Sequence, residues 1–591
     1  MENRIIIKVL LAFMVISAYF TSCGVDDFLD KPPGVDVTED TIFSTKKDIE
    51  TFLFGTYSYG MHSYYPYYSD NSYTNPNPNQ SMTAAITDEA EIAGTFFNCQ
   101  QWNTGSIQRN NIINQEDRRF NVRWTAIRRC NIIIERMAED NVLTQAERDQ
   151  FTGEVLFIRA LNNFEMFKRY GAMPIVDKRL QIDDELKIPR ATLEEFVNYI
   201  VDDCEEAARL LKDVRYTSAQ RGRITDVAAL ALKARTLLYA ASPLFNTATP
   251  YISGTPEQNV LVCYGNYSET RWAQAAAAAL EVINEAPKHG FQFLNTGDPK
   301  EDYRKTWNTN DNVEIILAEK YKGRVGRWAS PYNVFASNYV TSNSSWGGAT
   351  MCVPHNFIRK YEKMNGEPQT WNEPGVVGHD LMEKYAELDP RFRQTIAYQG
   401  SRWTNQVTEV QVHTGGAHDA SENITGAFMH KLLPTTWENG SYYTPNGMLF
   451  RMTEAYLNYA EALNESQSAP SDEVYNTINM IRSRVGMPDL PKGLTKEQMR
   501  ERIKNERDLE LCFEDHRMWD IRRWMDAEKD GVMQGDFLGV KVDRISGEGL
   551  TAKCDYRLFV FEKRSFNRNM YMHPILENEV NKGYLLQNPG W

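Results

Sequence analysis

The sequence predicts a mainly α chain, a tetratricopeptide-like helical-repeat scaffold carrying a loop-rich face. Three observations predict it. Apolar residues recur at the helical period over long stretches. Several of those stretches open on Thr-x-x-Glu or Thr-x-x-Gln boxes, which satisfy the free N–H groups of a first helical turn. Between them lie two stretches crowded with Tyr, Trp, Gly, Asn and Pro, at 57–80 and 291–445, too long and too aromatic to be idle linkers.

Taken in order, the periodic segments are 122–138, 145–170, 193–212, 226–242, 271–286, 449–465, 472–485 and 496–525. Thr144/Glu147, Thr192/Glu195 and Thr495/Gln498 are the capping boxes. Gly171, Gly290 and Gly486 stand where a left-handed residue closes a helix. The small faces Ala275 to Ala279 and Ala455/Ala460/Ala462 let neighbouring helices approach closely. Segments 449–465 and 472–485 form a hairpin whose unit length is near the roughly 34 residues of a tetratricopeptide repeat, without a clean repeated consensus.

The first residues are a separate matter. Arg4 and Lys8 precede a short apolar run from Val9 to Phe20, then Thr21-Ser22-Cys23. A basic start, a short apolar core and small residues before a cut site describe an export signal. A run this short falls well below the roughly 20 residues that span a bilayer. Residues 1–22 are therefore expected to be removed, leaving Cys23 as a lipidated first residue and 23–33 as a polar tether.

Bulk composition narrows the function. The 591 residues are 42% hydrophobic and 24% charged, the balance of a folded globular chain. Net charge is −14 with no basic stripe, which argues against nucleic acid as a partner. The seven cysteines after Cys23 are widely spaced, odd in number and free of Cys-x-x-Cys, so neither a zinc site nor a disulfide framework is expected. His413 and His418 share a Gly-rich loop without an evident third ligand, and no metal is assigned. There is no nucleophile elbow, no phosphate-binding loop and no dinucleotide fingerprint, hence no cofactor. Glu506, Glu510 and Glu514 stack at i, i+4 spacing, with Arg507 and Arg517 a turn away. Cations that close keep carboxylates ionised, the wrong direction for a general acid. The pattern reads as a structural ion network and the chain as no enzyme.

The aromatic residues suggest a ligand instead. Seven tyrosines fall between Tyr57 and Tyr73, among them Tyr64, Tyr65 and Tyr67, and consecutive pairs cannot all face one core. Trp102 sits in a polar string before the first long helix; Trp328, Tyr332 and Trp346 repeat the theme in the later insert. A sugar ring offers an apolar C–H face to such a platform and a hydroxyl rim to neighbouring Asn, Asp, Arg and Gln. Covering part of one ring contributes on the order of 1 kcal/mol. These seven residues (Trp102, Tyr64, Tyr65, Tyr67, Trp328, Tyr332 and Trp346) are the expected glycan contacts.

Six strings in order carry a family resemblance: DDFLDKP at 26–32 after Cys23, EVLFIRAL at 154–161 with YGAMPI at 170–175, RMTEAYLNYAEA at 451–462, INMIRSRVG at 478–486, the 506–524 stretch, and LQNPGW at 586–591. Together they resemble the SusD/RagB family of outer-membrane nutrient-binding lipoproteins. Asp515-His516, Leu576 and Trp591 depart from its commoner residues. The resemblance implies about four tetratricopeptide-like helix pairs as scaffold, a variable ligand-binding face, and a SusC-like TonB-dependent transporter as partner. It divides the chain into an N-terminal region, 34–245, and a C-terminal region, 246–591, containing the insert 291–445 and repeat helices 449–525. The expected role is capture of an oligo- or polysaccharide at the cell surface, the protein held to the outer membrane by its lipid. Capture of peptides by the same architecture, as in RagB-type members, is the alternative.

Overall fold

The structure, a computed structural model, describes residues 38–62, 83–92, 99–139, 141–309, 311–320, 351–405, 407–419, 423–432, 435–436 and 446–591. Cys23, the expected export signal and the expected tether lie outside them, as do Tyr64, Tyr65, Tyr67, Trp328, Tyr332 and Trp346.

The chain is mainly α. Its frame is a row of helices: α1 (Lys46–Gly60), α2 (Phe120–Glu139), α3 (Gln145–Tyr170), α4 (Leu193–Leu211), α5 (Asp226–Ala241), α6 (Glu269–Glu285), α7 (Met452–Glu465), α8 (Asp472–Arg484), α9 (Lys496–Glu510) and α10 (Arg517–Arg523). Packing follows sequence order: α3 lies against α2 and α4, α5 between α4 and α6, α6 against α7, and α7 against α8 and α9. The three expected capping boxes are present at Thr144, Thr192 and Thr495, each hydroxyl accepting the N–H of the boxed residue while that residue's side chain returns to the cap. Ala275, Ala278 and Ala279 are buried where α6 meets its neighbours. Gly171 ends α3 at φ 75°, and a Cβ there would come within 2.5 Å of the Leu261 carbonyl oxygen, so the exit needs glycine twice over. One apolar cluster runs from Phe43 to Leu585 and draws on both sides of position 245. A second, built on Leu457, Val474, Ile478, Met499 and Ile503, fills the space among α7, α8 and α9.

Three features differ from the sequence reading. Helix α1 occupies 46–60 and takes the start of the stretch read as loop. The single helix expected over 496–525 is two, α9 and α10, separated by a turn in which Phe513 and Asp515 adopt φ of 61° and 62°. The break is held by cations: Lys431 Nζ and Arg451 Nη2 donate to the Glu510 carbonyl at 2.9 and 3.0 Å, satisfying a helix end that would otherwise be buried bare. Finally, β7 (Gly535–Ser546) and β8 (Lys553–Arg564) form a long antiparallel hairpin that periodic helical patterns could not reveal. Its alternation, Val540 and Val542 inward with Lys541 outward, is the strand signal.

Two small sheets complete the frame. β1 (Glu91–Ile92), β3 (Met351–Cys352), β4 (Ile396–Tyr398) and β5 (Ala427–Met429) join in the order β1-β3-β5-β4, and β2 (Ile315–Lys320) pairs antiparallel with β6 (Asn446–Arg451).

Candidate functional site

The sheets decide where the aromatic-rich segments attach. Lys320, at the end of β2, is the ladder partner of Asn446, at the start of β6. Segments 321–350 and 437–445 therefore begin and end beside each other. His62, the last described residue before segment 63–82, has Nδ1 3.7 Å from Glu319 Oε1 in β2. Ile92, where segment 93–98 begins, pairs with Met351, where 321–350 rejoins the frame. The stretches 63–82, 321–350 and 437–445, far apart in sequence, thus share a point of departure at the β2/β6 ladder. They contain Tyr64, Tyr65 and Tyr67, Trp328, Tyr332 and Trp346, and also Trp437, Tyr442 and Tyr443, which the sequence reading did not single out although the same aromatic density marks them. None of the described tryptophans is exposed.

Trp102 is a correction. Its side chain is 1% exposed in the short helix Cys99–Asn103, with its ring centroid 5.0 Å from that of His573 and the Arg522 guanidinium 5.9 Å away. No ring face is offered to a ligand. The polar string around it misled because its polarity is satisfied inside the frame: Asn103, itself buried, donates through Nδ2 to Glu91 and to the Ala85 carbonyl, and the indole packs in the core beside it.

At the centre lies the ion network that the glutamates foreshadowed, with different partners. Glu506, Glu510 and Glu514 join Glu314, Glu362 and Asp389 against Arg391, Lys431, Arg451, Arg482, Arg484 and Arg502. Arg451 reaches Glu510 at 3.0 Å, Glu514 at 2.8 Å and Glu314 at 2.7 Å, tying β2, β6 and the end of α9 together. Arg507 and Arg517, the expected partners, bind elsewhere: Arg507 to Asp520 at 2.7 Å, Arg517 to Asp88 and Asp508 at 2.8 and 2.6 Å. Burial pushes the Glu510 carboxyl up, but Arg484, Arg451 and Arg391 outweigh it and hold it well below the usual carboxylate range. Such a group gives up no proton to a leaving group. Two of the carboxyls that burial does push up, Glu89 and Glu91, are 2% and 1% exposed and engaged by Phe513 N and by Arg564, so substrate cannot reach them.

His413 and His418 are buried and locally bonded, His418 Nδ1 accepting from Gln411 N at 2.9 Å. All seven described cysteines are buried, and none of them is in a disulfide. A different group brings three metal-type donors together: Asp226, Glu285 and His289, which sequence reading missed. The i, i+4 pair Glu285/His289 was its only local signal. Beside it opens a groove of about 390 Å³ lined by 214–216, 220–223, 225, 289–291, 311–313 and the edge of β2.

Comparison with known proteins gives the family. Residues 313–591 match the SusD family model, and residues 27–238 match a model described as starch-binding, associating with the outer membrane. SusD-like protein P25 of Formosa agariphila is 22% identical over 543 residues, 87% of this chain and 89% of that one. A crystal structure of a SusD-like protein from Bacteroides fragilis superposes with a TM-score of 0.75 at 23% identity, covering 95% of this chain and all of the other. A protein named as a laminarin-binding SusD-like protein superposes with a TM-score of 0.58 at 20% identity over 93% of this chain.

Proposed function

The chain belongs to the SusD/RagB family, and from that premise we propose that it is a glycan-capturing lipoprotein of the cell surface and not an enzyme. Cys23 carries the lipid, residues 23–33 act as tether, and captured oligo- or polysaccharide passes to a SusC-like TonB-dependent transporter. Tyr64, Tyr65, Tyr67, Trp328, Tyr332 and Trp346 are the proposed platforms.

The observation that supports this reading most is the shared point of departure of the aromatic-bearing segments, marked by Lys320 opposite Asn446 and His62 beside Glu319. Rings on separate loops can cooperate on one ligand only if their loops are rooted together on something rigid. The root here is the β2/β6 ladder, fixed from below by Arg451. Two or three such platforms contribute roughly 2 to 3 kcal/mol, and hydrogen bonds to the hydroxyl rim add to this, for an affinity in the millimolar-to-micromolar range, roughly 4 to 8 kcal/mol, weak enough to release cargo onward.

The test uses the protein from residue 24 on, run through gels containing a panel of soluble glycans and followed by calorimetry on any hit. Saturable binding to at least one glycan is expected, weakened about tenfold or more by Trp328→Ala or Trp346→Ala with the thermal midpoint unchanged. A flat response to every glycan, with depletion of a peptide mixture instead, replaces this reading by peptide capture.

A further inference from the structure

The row of helices contains a junction that its apolar packing does not explain. Asp226 is the first residue of α5, Glu285 the last of α6, and His289 lies in the 3₁₀ turn that follows α6. His289 Nε2 stands 3.1 Å from Asp226 Oδ2 and 3.8 Å from Glu285 Oε1. The side chains of His289 and Asp226 are 5% and 4% exposed. Although 3.1 Å from Asp226 Oδ2, the buried Nε2 makes no aligned hydrogen bond.

Each carboxylate is already divided. Asp226 Oδ1 accepts the N–H of Val227 at 2.9 Å, leaving Oδ2 for the cluster. Glu285 Oε2 accepts from Lys288 Nζ at 2.6 Å, leaving Oε1 for the cluster. The three remaining donor atoms all lie within 4.8 Å of one another. A tetrahedral ion bound at about 2.0–2.1 Å holds its ligand atoms about 3.4 Å apart, and the two measured edges bracket that value. Thr225 and His289 also line the groove beside the cluster, which leaves room for a water as fourth ligand.

We propose that Asp226, Glu285 and His289 form a three-ligand site for a first-row divalent cation of the zinc type. The imidazole excludes magnesium and calcium as preferred ions, since both favour all-oxygen shells. Two carboxylates neutralise the dication, and the ion cross-links the start of α5 to the end of α6. The role is a brace for the frame, independent of the proposed glycan face.

The test uses untagged protein from residue 24 on, stripped with chelator and desalted. Zinc chloride is titrated by calorimetry, bound metal is counted by mass spectrometry after gel filtration, and thermal midpoints are recorded. The expected result is one zinc per chain with a dissociation constant of 10 µM or tighter, a midpoint rise of about 2 °C at a hundredfold excess over that constant, and loss of both in His289→Gln and in Glu285→Gln. Glu285 is the more exposed ligand, so its variant remains folded if His289→Gln does not. No bound zinc in the wild type, equal zinc in both variants, or stabilisation by calcium or magnesium and not by zinc or manganese overturns the proposal.

Discussion

Glu510→Gln isolates the charge of one carboxylate in the central network while keeping its shape. The network holds six acids and six bases, so removing one charge leaves one uncompensated cation in a nearly dry interior. Glu510 is 0% exposed and faces Arg451 at 3.0 Å, Arg391 at 3.3 Å and Arg484. Breaking a buried pair by removing one partner costs about 3–5 kcal/mol. At about 2.1 cal/mol/K per residue, 591 residues unfold with an entropy of about 1.2 kcal/mol/K, which turns that loss into a midpoint drop of about 2–4 °C. The pH dependence gives a second readout. The folded carboxyl lies below its unfolded value of 4.5, so its stabilisation is complete above that value and is lost as pH falls. Between about pH 5 and pH 3 the wild type therefore loses about 2 kcal/mol through this group, and Glu510→Gln does not. Scanning calorimetry or denaturant melts at both pH values measure the difference. If wild type and variant share one midpoint and one acid slope, the network does not hold the frame.

Trp102→Ala deletes a buried indole and is expected to cost about 3–5 kcal/mol of stability, with glycan affinity of the folded protein unchanged; a tenfold binding loss at constant midpoint returns Trp102 to the binding face. Burial pushes the Cys130, Cys352 and Cys512 thiols up to about 12, so a thiol reagent at pH 8 is expected to label none of the seven described cysteines natively and all of them in denaturant. Rapid native labelling of any one contradicts its placement in the core.

What the sequence by itself determined is local. Helices α2 to α8 announce themselves because a 3.6-residue period and a Thr box act within one or two turns, and the boundary at Thr144 is decided by Glu147, three residues on. The pairing of glutamates with arginines was legible as chemistry but not as partners. Arg391 and Arg451, more than fifty residues from the acids they serve, won those acids over Arg507 and Arg517, because a buried charge binds whatever counter-charge the fold brings within 3 Å. The same holds for Trp102, whose polar neighbours described its helix and not its own environment. Only the tertiary structure set Asp226 beside His289 across two helices, broke 496–525 at Glu510, and rooted three distant aromatic segments at the β2/β6 ladder. Periodicity reports which face of an element is apolar; what that face or its ends will meet depends on contacts between residues far apart in the chain, and no local pattern encodes them.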